Sequence, residues 1–346
     1  MARLPYFSIF ITVGALVLVA YNTDLSRLVA ILQGISAPFW PLILSLTLLS
    51  WFLSCWRLHV LFPKNQHVTL RDCSLALGIG AIGNLLLPLR SGDVLRCAVL
   101  NRIAPDAQLG GIVTTLALEK FMEAIAASVI LIAWASVLVL PDFADVAVSR
   151  MITISVLAAV AALVVWVLRD RIAAALSRTA GTVHWRGRLA GRTLSLLNEA
   201  GRYLGWRRLA FACCQTALIR FVDAATFLFL ALAVGIPLTL PDTFLVIGII
   251  AIATAIPAAP GFVGIYEAAG VIALSLLGFN KDEALAYILV SHGWFVCVWI
   301  VAGLVAVAYL PGSLRSLTNR PVALTPPGLG GNDTVLPAND RNETLS

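Results

Sequence analysis

Six long apolar runs decide what this chain can fold into. A helix that crosses the roughly 30 Å hydrocarbon core of a bilayer needs about 20 mostly apolar residues, and each run comes near or passes that length. The runs cover residues 5–21, 39–62, 110–138, 150–168, 209–234 and 285–310. Because 60% of the residues are hydrophobic and only 12% are charged, the sequence predicts an all-α polytopic membrane protein.

The distribution of charge fits membrane topology better than nucleic-acid binding. The chain carries 24 Lys and Arg against 18 Asp and Glu, and most of the cations lie between the apolar runs. Residues 169–208 hold nine arginines, which is typical of a cytoplasmic loop. We therefore expect a multi-pass protein of the bacterial cytoplasmic (inner) membrane, with a retained first helix and both termini in the cytoplasm. No nucleic-acid partner is expected.

The spacing of the runs leaves no room for a separate soluble catalytic domain. No segment longer than about 40 residues is free of apolar spans, and a domain usually needs about 100. Residues 1–315 are predicted to form one membrane domain, and residues 316–346 a disordered cytoplasmic tail rich in Pro, Gly and Asn. The six cysteines form no C-x-x-C pair, so neither a disulfide framework nor a metal site is expected.

Two further apolar segments, 72–101 and 243–279, are interrupted by Pro and Gly. Arg71 and Arg102 flank the first segment, and both favour the cytoplasmic side. We therefore expect this segment to enter the membrane and return as a re-entrant hairpin. The second segment begins at Asp242 and is expected to do the same from the outer face. The alternative is that the half-segments are short tilted spans, which gives ten crossings.

Opposed hairpins have a functional consequence. Backbone freed by a turn at membrane depth is tolerated only where it is buried in protein or lines a wet cavity. Broken segments at matching positions are also the arrangement of inverted repeats in secondary transporters, whose substrates bind near mid-depth. The sequence thus predicts a polar cavity between the two hairpins.

Charged residues inside the apolar segments are candidates for that cavity, because each costs about 2.5 to 3.5 kcal/mol at mid-depth. Arg90, Asp93 and Arg96 lie near the tip of the first hairpin, where Asp93 and Arg96 are spaced to pair. A guanidinium such as Arg90 offers donors matched to phosphate oxygens. Glu119 and Glu123 share one helix face, so a cation is expected between them: Arg90, Arg96 or a cationic head group.

Other intramembrane polar residues are more ambiguous. Arg220 and Asp223 are spaced as a structural ion pair within one helix. Glu267 follows the Pro260-Gly261 break by about two turns and is the acidic counterpart of the basic first tip. His292 lies inside the last span, where a satisfied structural residue and a proton carrier are both open interpretations.

Three motifs in order carry a family resemblance. They are Asn84-Leu-Leu-Leu-Pro88-Leu-Arg90-Ser-Gly92-Asp93-Val-Leu-Arg96, Leu118-Glu119-Lys120 and Pro260-Gly261-Phe-Val-Gly264-Ile-Tyr-Glu267. Together they resemble the lysylphosphatidylglycerol synthase transmembrane-region family, also described as flippase-like, over the chain to about residue 315. The family usually has Gly-Glu where this chain has Gly92-Asp93, and often Arg in the last span where this chain has His292.

The resemblance implies a protein that moves or presents membrane lipids. The sequence has no counterpart of the soluble aminoacyl-transferase domain of fused members, so we expect a transporter without catalytic residues or cofactors. The function predicted is a flippase-like translocase for a phosphate-bearing lipid. The alternatives are an enzyme or accessory subunit in lipid-linked sugar or hopanoid biosynthesis, or a scaffold whose Arg-rich loop docks a lipid-biosynthetic enzyme. The predicted substrate-binding residues are Asn84, Arg90, Gly92, Asp93, Arg96, Glu119, Lys120, Glu123, Pro260, Gly261, Gly264, Glu267 and His292.

Overall fold

The chain is helical throughout the part that its structure, a computed structural model, describes. The described residues are 25–62, 66–87, 91–135, 153, 206–255 and 260–310. Three helical stretches are long and apolar enough to cross a membrane: Ala37–Leu61, Arg207–Val234 and Lys281–Tyr309. The all-α membrane fold is therefore confirmed. The predicted spans 5–21 and 150–168, the Arg-rich loop 169–208 and the tail 316–346 lie outside the described residues.

Nine α-helices run through the described ranges, and we label them in chain order. They are α1 (Leu25–Gln33), α2 (Trp40–Leu61), α3 (Leu70–Leu86), α4 (Gly92–Ile103), α5 (Leu109–Ala135), α6 (Trp206–Val234), α7 (Leu240–Ala255), α8 (Ile265–Leu276) and α9 (Lys281–Tyr309). The helices α2, α5, α6 and α9 correspond to four predicted spans. Helix α1 has no counterpart among the predicted spans.

Both interrupted segments are pairs of short helices. The first consists of α3 and α4, and the second of α7, a 3-10 turn at Pro260–Phe262 and α8; the two helices of each pair pack against each other. At about 1.5 Å per residue, the 17 residues of α3 span roughly 25 Å, less than the hydrocarbon core of about 30 Å. The interruptions are therefore present, while the re-entrant course of the segments stays a prediction.

The same local motif starts both helix pairs. Thr69 and Asp72 form a capping box at the start of α3, in which the Thr69 amide donates to Asp72 Oδ2 at 2.9 Å. Thr239 and Asp242 repeat it at α7, with the corresponding bond also 2.9 Å long. Such boxes satisfy amides that a helix start leaves without partners. The sequence Thr-Leu-X-Asp thus sets where each hairpin begins.

The order of helix lengths in α2 to α5 recurs in α6 to α9: long, medium, short, long. The packing is reciprocal, because α3 lies against α9 and α7 lies against α5, while α2 and α6 pack on each other. The breaks are also close, since a Cβ on Gly261 would lie 3.0 Å from Leu85 Cδ1. This arrangement places the interruptions of the two halves close to each other.

Candidate functional site

A buried arginine lies between the two glutamates of α5. Arg57 of α2 donates from Nη2 to Glu119 Oε1 at 2.9 Å and to Glu123 Oε1 at 2.7 Å. Its Nη1 also donates to Thr216 Oγ1 on α6 at 3.2 Å. The side chains of Arg57 and Glu119 are each 1% exposed. This guanidinium therefore ties α2, α5 and α6 together and compensates the carboxylates.

Arg96 of α4 occupies the other oxygen of Glu119. Its Nη2 donates to Glu119 Oε2 at 2.6 Å, and the Arg96 side chain is 4% exposed. Asp93 lies 3.6 Å from Arg96 Nη1, so these two residues pair at the predicted spacing. Lys120 Nζ lies 3.1 Å from Glu123 Oε2 and 3.8 Å from Asp93 Oδ1. The result is one continuous network of alternating charges across α2, α4 and α5.

Small residues set the position of Arg96. A Cβ on Gly80 of α3 would collide with Cγ and Cδ of Arg96, and one on Gly92 would collide with the Gly80 carbonyl. The Gly92 amide donates to the Asn84 side-chain oxygen at 2.9 Å, which closes the first hairpin. Asn84 and Gly92, predicted as binding residues, therefore shape the backbone behind the ion network.

Arg57 is not among the residues predicted from the sequence. The cation predicted between the glutamates was Arg90, Arg96 or a cationic head group, whereas Arg57 takes that position and Arg96 binds the other oxygen of Glu119. The available signal was a lone arginine inside the apolar run 39–62, which the cost of intramembrane charge should have flagged. Arg90 and Pro88 lie outside the described residues.

A cavity of about 730 Å³ opens beside this network. Lys120 and Glu123 reach it from α5, and Ser50, Arg220 and Asp223 reach it from α2 and α6. Asp223 accepts from Ser50 Oγ at 2.6 Å and lies 3.3 Å from Arg220 Nη1. The predicted Arg220 and Asp223 pair is thus in contact and also lines the cavity.

The rest of the cavity wall is mostly apolar and aromatic. It draws on helices of both halves and on the 3-10 turn of the second hairpin. The aromatic residues are Trp51, Phe121, Phe227, Phe262, Tyr266, Phe295 and Trp299. A cavity whose wall combines charged side chains with apolar and aromatic ones suits an amphipathic ligand.

Glu267 and His292 form a second buried pair. His292 Nδ1 lies 2.5 Å from Glu267 Oε1, and each residue is 5% exposed. Glu267 Oε2 accepts from the Gly264 amide at 2.6 Å, and His292 Nε2 lies 2.9 Å from the Gly261 carbonyl. The pair therefore holds the backbone around the 3-10 turn at Pro260–Phe262. Both residues were predicted from the sequence as site residues, but their contact was not.

The Arg96–Glu119 pair and the Glu267–His292 pair lie on corresponding helices of the two halves, but the positions of the acidic and the basic residue are exchanged. In the first half, the cation Arg96 lies on the short helix α4 and the anion Glu119 on the long helix α5. In the second half, the anion Glu267 lies on α8 and the imidazole of His292 on α9. Each half thus joins its hairpin to its last long helix by one buried polar pair.

No cluster of His, Cys, Asp or Glu that could hold a metal ion occurs in the described part of the chain. The sequence model of the family described as "Lysylphosphatidylglycerol synthase TM region" matches residues 6–312. A comparison with curated protein sequences gives no match.

Proposed function

Since the chain belongs to the lysylphosphatidylglycerol synthase transmembrane-region family, we propose that it binds a phosphate-bearing membrane lipid in its cavity and moves it between leaflets. The membership itself supports a role connected with membrane lipids in an integral membrane protein. The observation that carries the finer proposal is the cavity of about 730 Å³, whose wall combines charged side chains with many apolar and aromatic ones. A lipid likewise combines a polar head with apolar chains.

Lys120 and Arg220 are the cations that we assign to the head group. The Lys120 side chain is 40% exposed and lines the cavity, as does Arg220. Arg57 and Arg96 are less suited, because both are buried and bound to Glu119. The Nε atoms of Arg57, Arg96 and Arg220 are all buried without a hydrogen-bond partner among the described residues, so the assignment of Arg220 rests on its place in the cavity wall.

The carboxylates determine which head groups fit. Glu123 pairs with Lys120 and Asp223 pairs with Arg220 in the cavity wall, so the formal charge of these four groups sums to zero. A head group that presents a phosphate together with a hydroxyl or ammonium satisfies both signs. A purely anionic head group leaves the two carboxylates facing it, and we expect it to bind more weakly.

The repeated helix order in the two halves of the chain supports a mechanism for lipid movement. The reciprocal packing of α3 on α9 and of α7 on α5 supports a twofold, inverted repeat. Rocking of one hairpin against the other would expose the cavity to each leaflet in turn. We place the protein in the bacterial cytoplasmic membrane with both termini in the cytoplasm, on the basis of the Arg-rich loop.

Mass spectrometry of lipids retained by the purified protein tests the binding site. The double change Lys120→Gln and Arg220→Gln removes both assigned cations, and we expect retention of a phosphate-bearing lipid to fall about tenfold or more. Lys281→Gln is the matched control, since Lys281 starts α9 and does not line the cavity. Equal retention in the double variant and the control would exclude this head-group site.

A further inference from the structure

The hydrogen bonds of the Glu267 and His292 pair determine how many protons the pair holds. The Gly261 carbonyl can only accept, so the hydrogen bond of 2.9 Å from His292 Nε2 requires a proton on Nε2. The Gly264 amide can only donate, so Glu267 Oε2 accepts. The contact between His292 Nδ1 and Glu267 Oε1 then holds one proton, whether it resides on the imidazole or on the carboxyl.

This shared proton makes the buried pair electrically neutral. With it, the pair is either imidazolium with carboxylate or imidazole with carboxylic acid, and the sum of charges is zero in both. Without it, the neutral imidazole has one N–H for two acceptors, so a lone pair faces either the Glu267 carboxylate at Nδ1 or the Gly261 carbonyl at Nε2. Either contact is repulsive, and the carboxylate is left as an uncompensated buried charge, which is costly. The geometry therefore depends on the presence of the proton.

The pair is attached to the break of the second hairpin through both of its outer bonds. The break contains Gly261 at φ 69°, Phe262 at φ 59° and Gly264 at φ 87°. A positive φ at a bulky residue such as Phe262 is strained and persists only where its surroundings hold it. The His292 bond to the Gly261 carbonyl and the Glu267 bond to the Gly264 amide lie on either side of that residue.

The immediate neighbours of the Glu267 and His292 pair are an aromatic ring and two hydroxyl groups. Tyr266 stacks on His292 with ring centroids 4.2 Å apart, and its hydroxyl lies 3.4 Å from Ser291 Oγ. Tyr287 of α9 is also buried, and its hydroxyl donates to the Phe227 carbonyl at 2.9 Å. The other ionisable residues of the elements packed here are Arg27 on α1, Arg71, Asp72 and Cys73 on α3, Asp242 on α7, Arg207, Arg208, Cys213, Cys214, Arg220 and Asp223 on α6, and Lys281, Asp282, Glu283, Cys297 and Tyr309 on α9.

We propose that Glu267 and His292 form a proton-binding site whose occupancy holds the second hairpin break closed. The bound proton joins α8 to α9 and fixes the backbone on both sides of Phe262. Phe262 and Tyr266 also line the cavity, so the break that the proton holds is part of the cavity wall. The ligand of this site is the proton itself.

Release of the proton opens the contact in a balanced step. The proton passes to a water molecule, which leaves Glu267 as carboxylate and His292 as neutral imidazole with a single N–H. The imidazole then has a donor for only one of its two acceptors. Its contact with Glu267 or with the Gly261 carbonyl therefore separates, and the break is no longer held on both sides of Phe262. The part of the inference that concerns lipid movement rests on the proposed function, whereas proton binding does not.

Hydrogen–deuterium exchange of the Gly264 amide tests the site without any lipid. In the full-length protein in detergent, after correction for intrinsic exchange, we expect protection of this amide to fall about tenfold per pH unit above the deprotonation midpoint. Glu267→Gln keeps both hydrogen bonds, because its amide donates to Nδ1 and its oxygen accepts from Gly264. Its protection should stay high and independent of pH. Ser291→Ala, adjacent to the pair, is the control and should follow the unsubstituted protein.

Two results would overturn the proton-binding site. One is protection in the unsubstituted protein that does not change with pH, and the other is a pH response of Glu267→Gln equal to that of the control. In vesicles, Glu267→Gln should also slow lipid movement at least tenfold while lipid retention is unchanged. A pH-dependent Gly264 amide without lipid movement would contradict the proposed function alone. Lipid movement with a pH-independent amide would contradict the proton site alone.

Discussion

Arg57 Nη2 and Glu119 Oε1 are joined at 2.9 Å in the interior of the helix bundle, where each side chain is 1% exposed. The bond connects the helix before the first hairpin to the helix after it. Since Glu119 also binds Arg96 of the hairpin itself, one carboxylate holds three helices of the first half. The stability and the geometry of the cavity wall depend on this group.

Arg57→Ala should destabilise the protein strongly. It leaves Glu119 and Glu123 facing each other without the cation that lies between them, and loss of one partner from a buried ion pair costs about 3 to 5 kcal/mol. Thermal unfolding in detergent, followed by size-exclusion chromatography, measures the change. Arg71→Ala removes an exposed arginine at the start of α3 and should shift stability by less than about 0.5 kcal/mol. Equal unfolding temperatures for the two variants would contradict the role of Arg57.

Gly80→Ala should displace Arg96. The added methyl would collide with the Arg96 side chain, so the bond to Glu119 must lengthen or the hairpin must shift. We expect lower thermal stability and reduced lipid retention. Gly293→Ala is a matched control within a helix, because a Cβ there meets nothing within 4 Å. It should be neutral or stabilising by up to about 1 kcal/mol. A Gly80→Ala protein as stable as this control would show that Arg96 has room to move.

A bulky residue in the cavity should block lipid movement without unfolding the protein. Ala124 lines the cavity and is exposed, so Ala124→Trp narrows the space without a core clash. We expect transport in reconstituted vesicles to fall at least tenfold. Val129→Trp on the same helix α5 places the same ring at a site that is 58% exposed and does not line the cavity. Comparable transport by both variants would argue against a route through the cavity.

If the hairpins are re-entrant, the two breaks should be accessible to reagents from opposite sides of the membrane. Ser91→Cys at the first break and Val263→Cys at the second should each react with a membrane-impermeant thiol reagent from one side only, the first from the cytoplasmic face. The protein with its native cysteines alone provides the background. Labelling of both positions from the same side would instead favour full spans in place of hairpins.

The sequence was sufficient for the elements that depend on local composition. Apolar length predicted α2, α5, α6 and α9, and Pro and Gly predicted both interruptions. The repeated Thr-Leu-X-Asp at 69–72 and 239–242 is a further sign of the repeated helix order.

The contacts between the site residues were harder to predict from the sequence. Arg57 and Glu119 are 62 residues apart and His292 and Glu267 are 25 apart, so spacing within one helix does not indicate either contact. Asp93 and Arg96 were predicted correctly as neighbours because they lie one turn apart on α4. The position of a long side chain between helices depends on tertiary packing, as the close approach of Gly80 to Arg96 illustrates.

Movement of a labelled phospholipid in vesicles tests the central claim most directly. Vesicles containing the purified protein and a head-group-accessible fluorescent lipid are treated with an impermeant quencher, and the rate of loss of protected fluorescence is measured. We predict fast loss for the unsubstituted protein and for Lys281→Gln, and loss at least tenfold slower for the Lys120→Gln and Arg220→Gln double variant. Loss in the double variant as fast as in the unsubstituted protein, or no faster loss with the unsubstituted protein than in protein-free vesicles, would contradict the account.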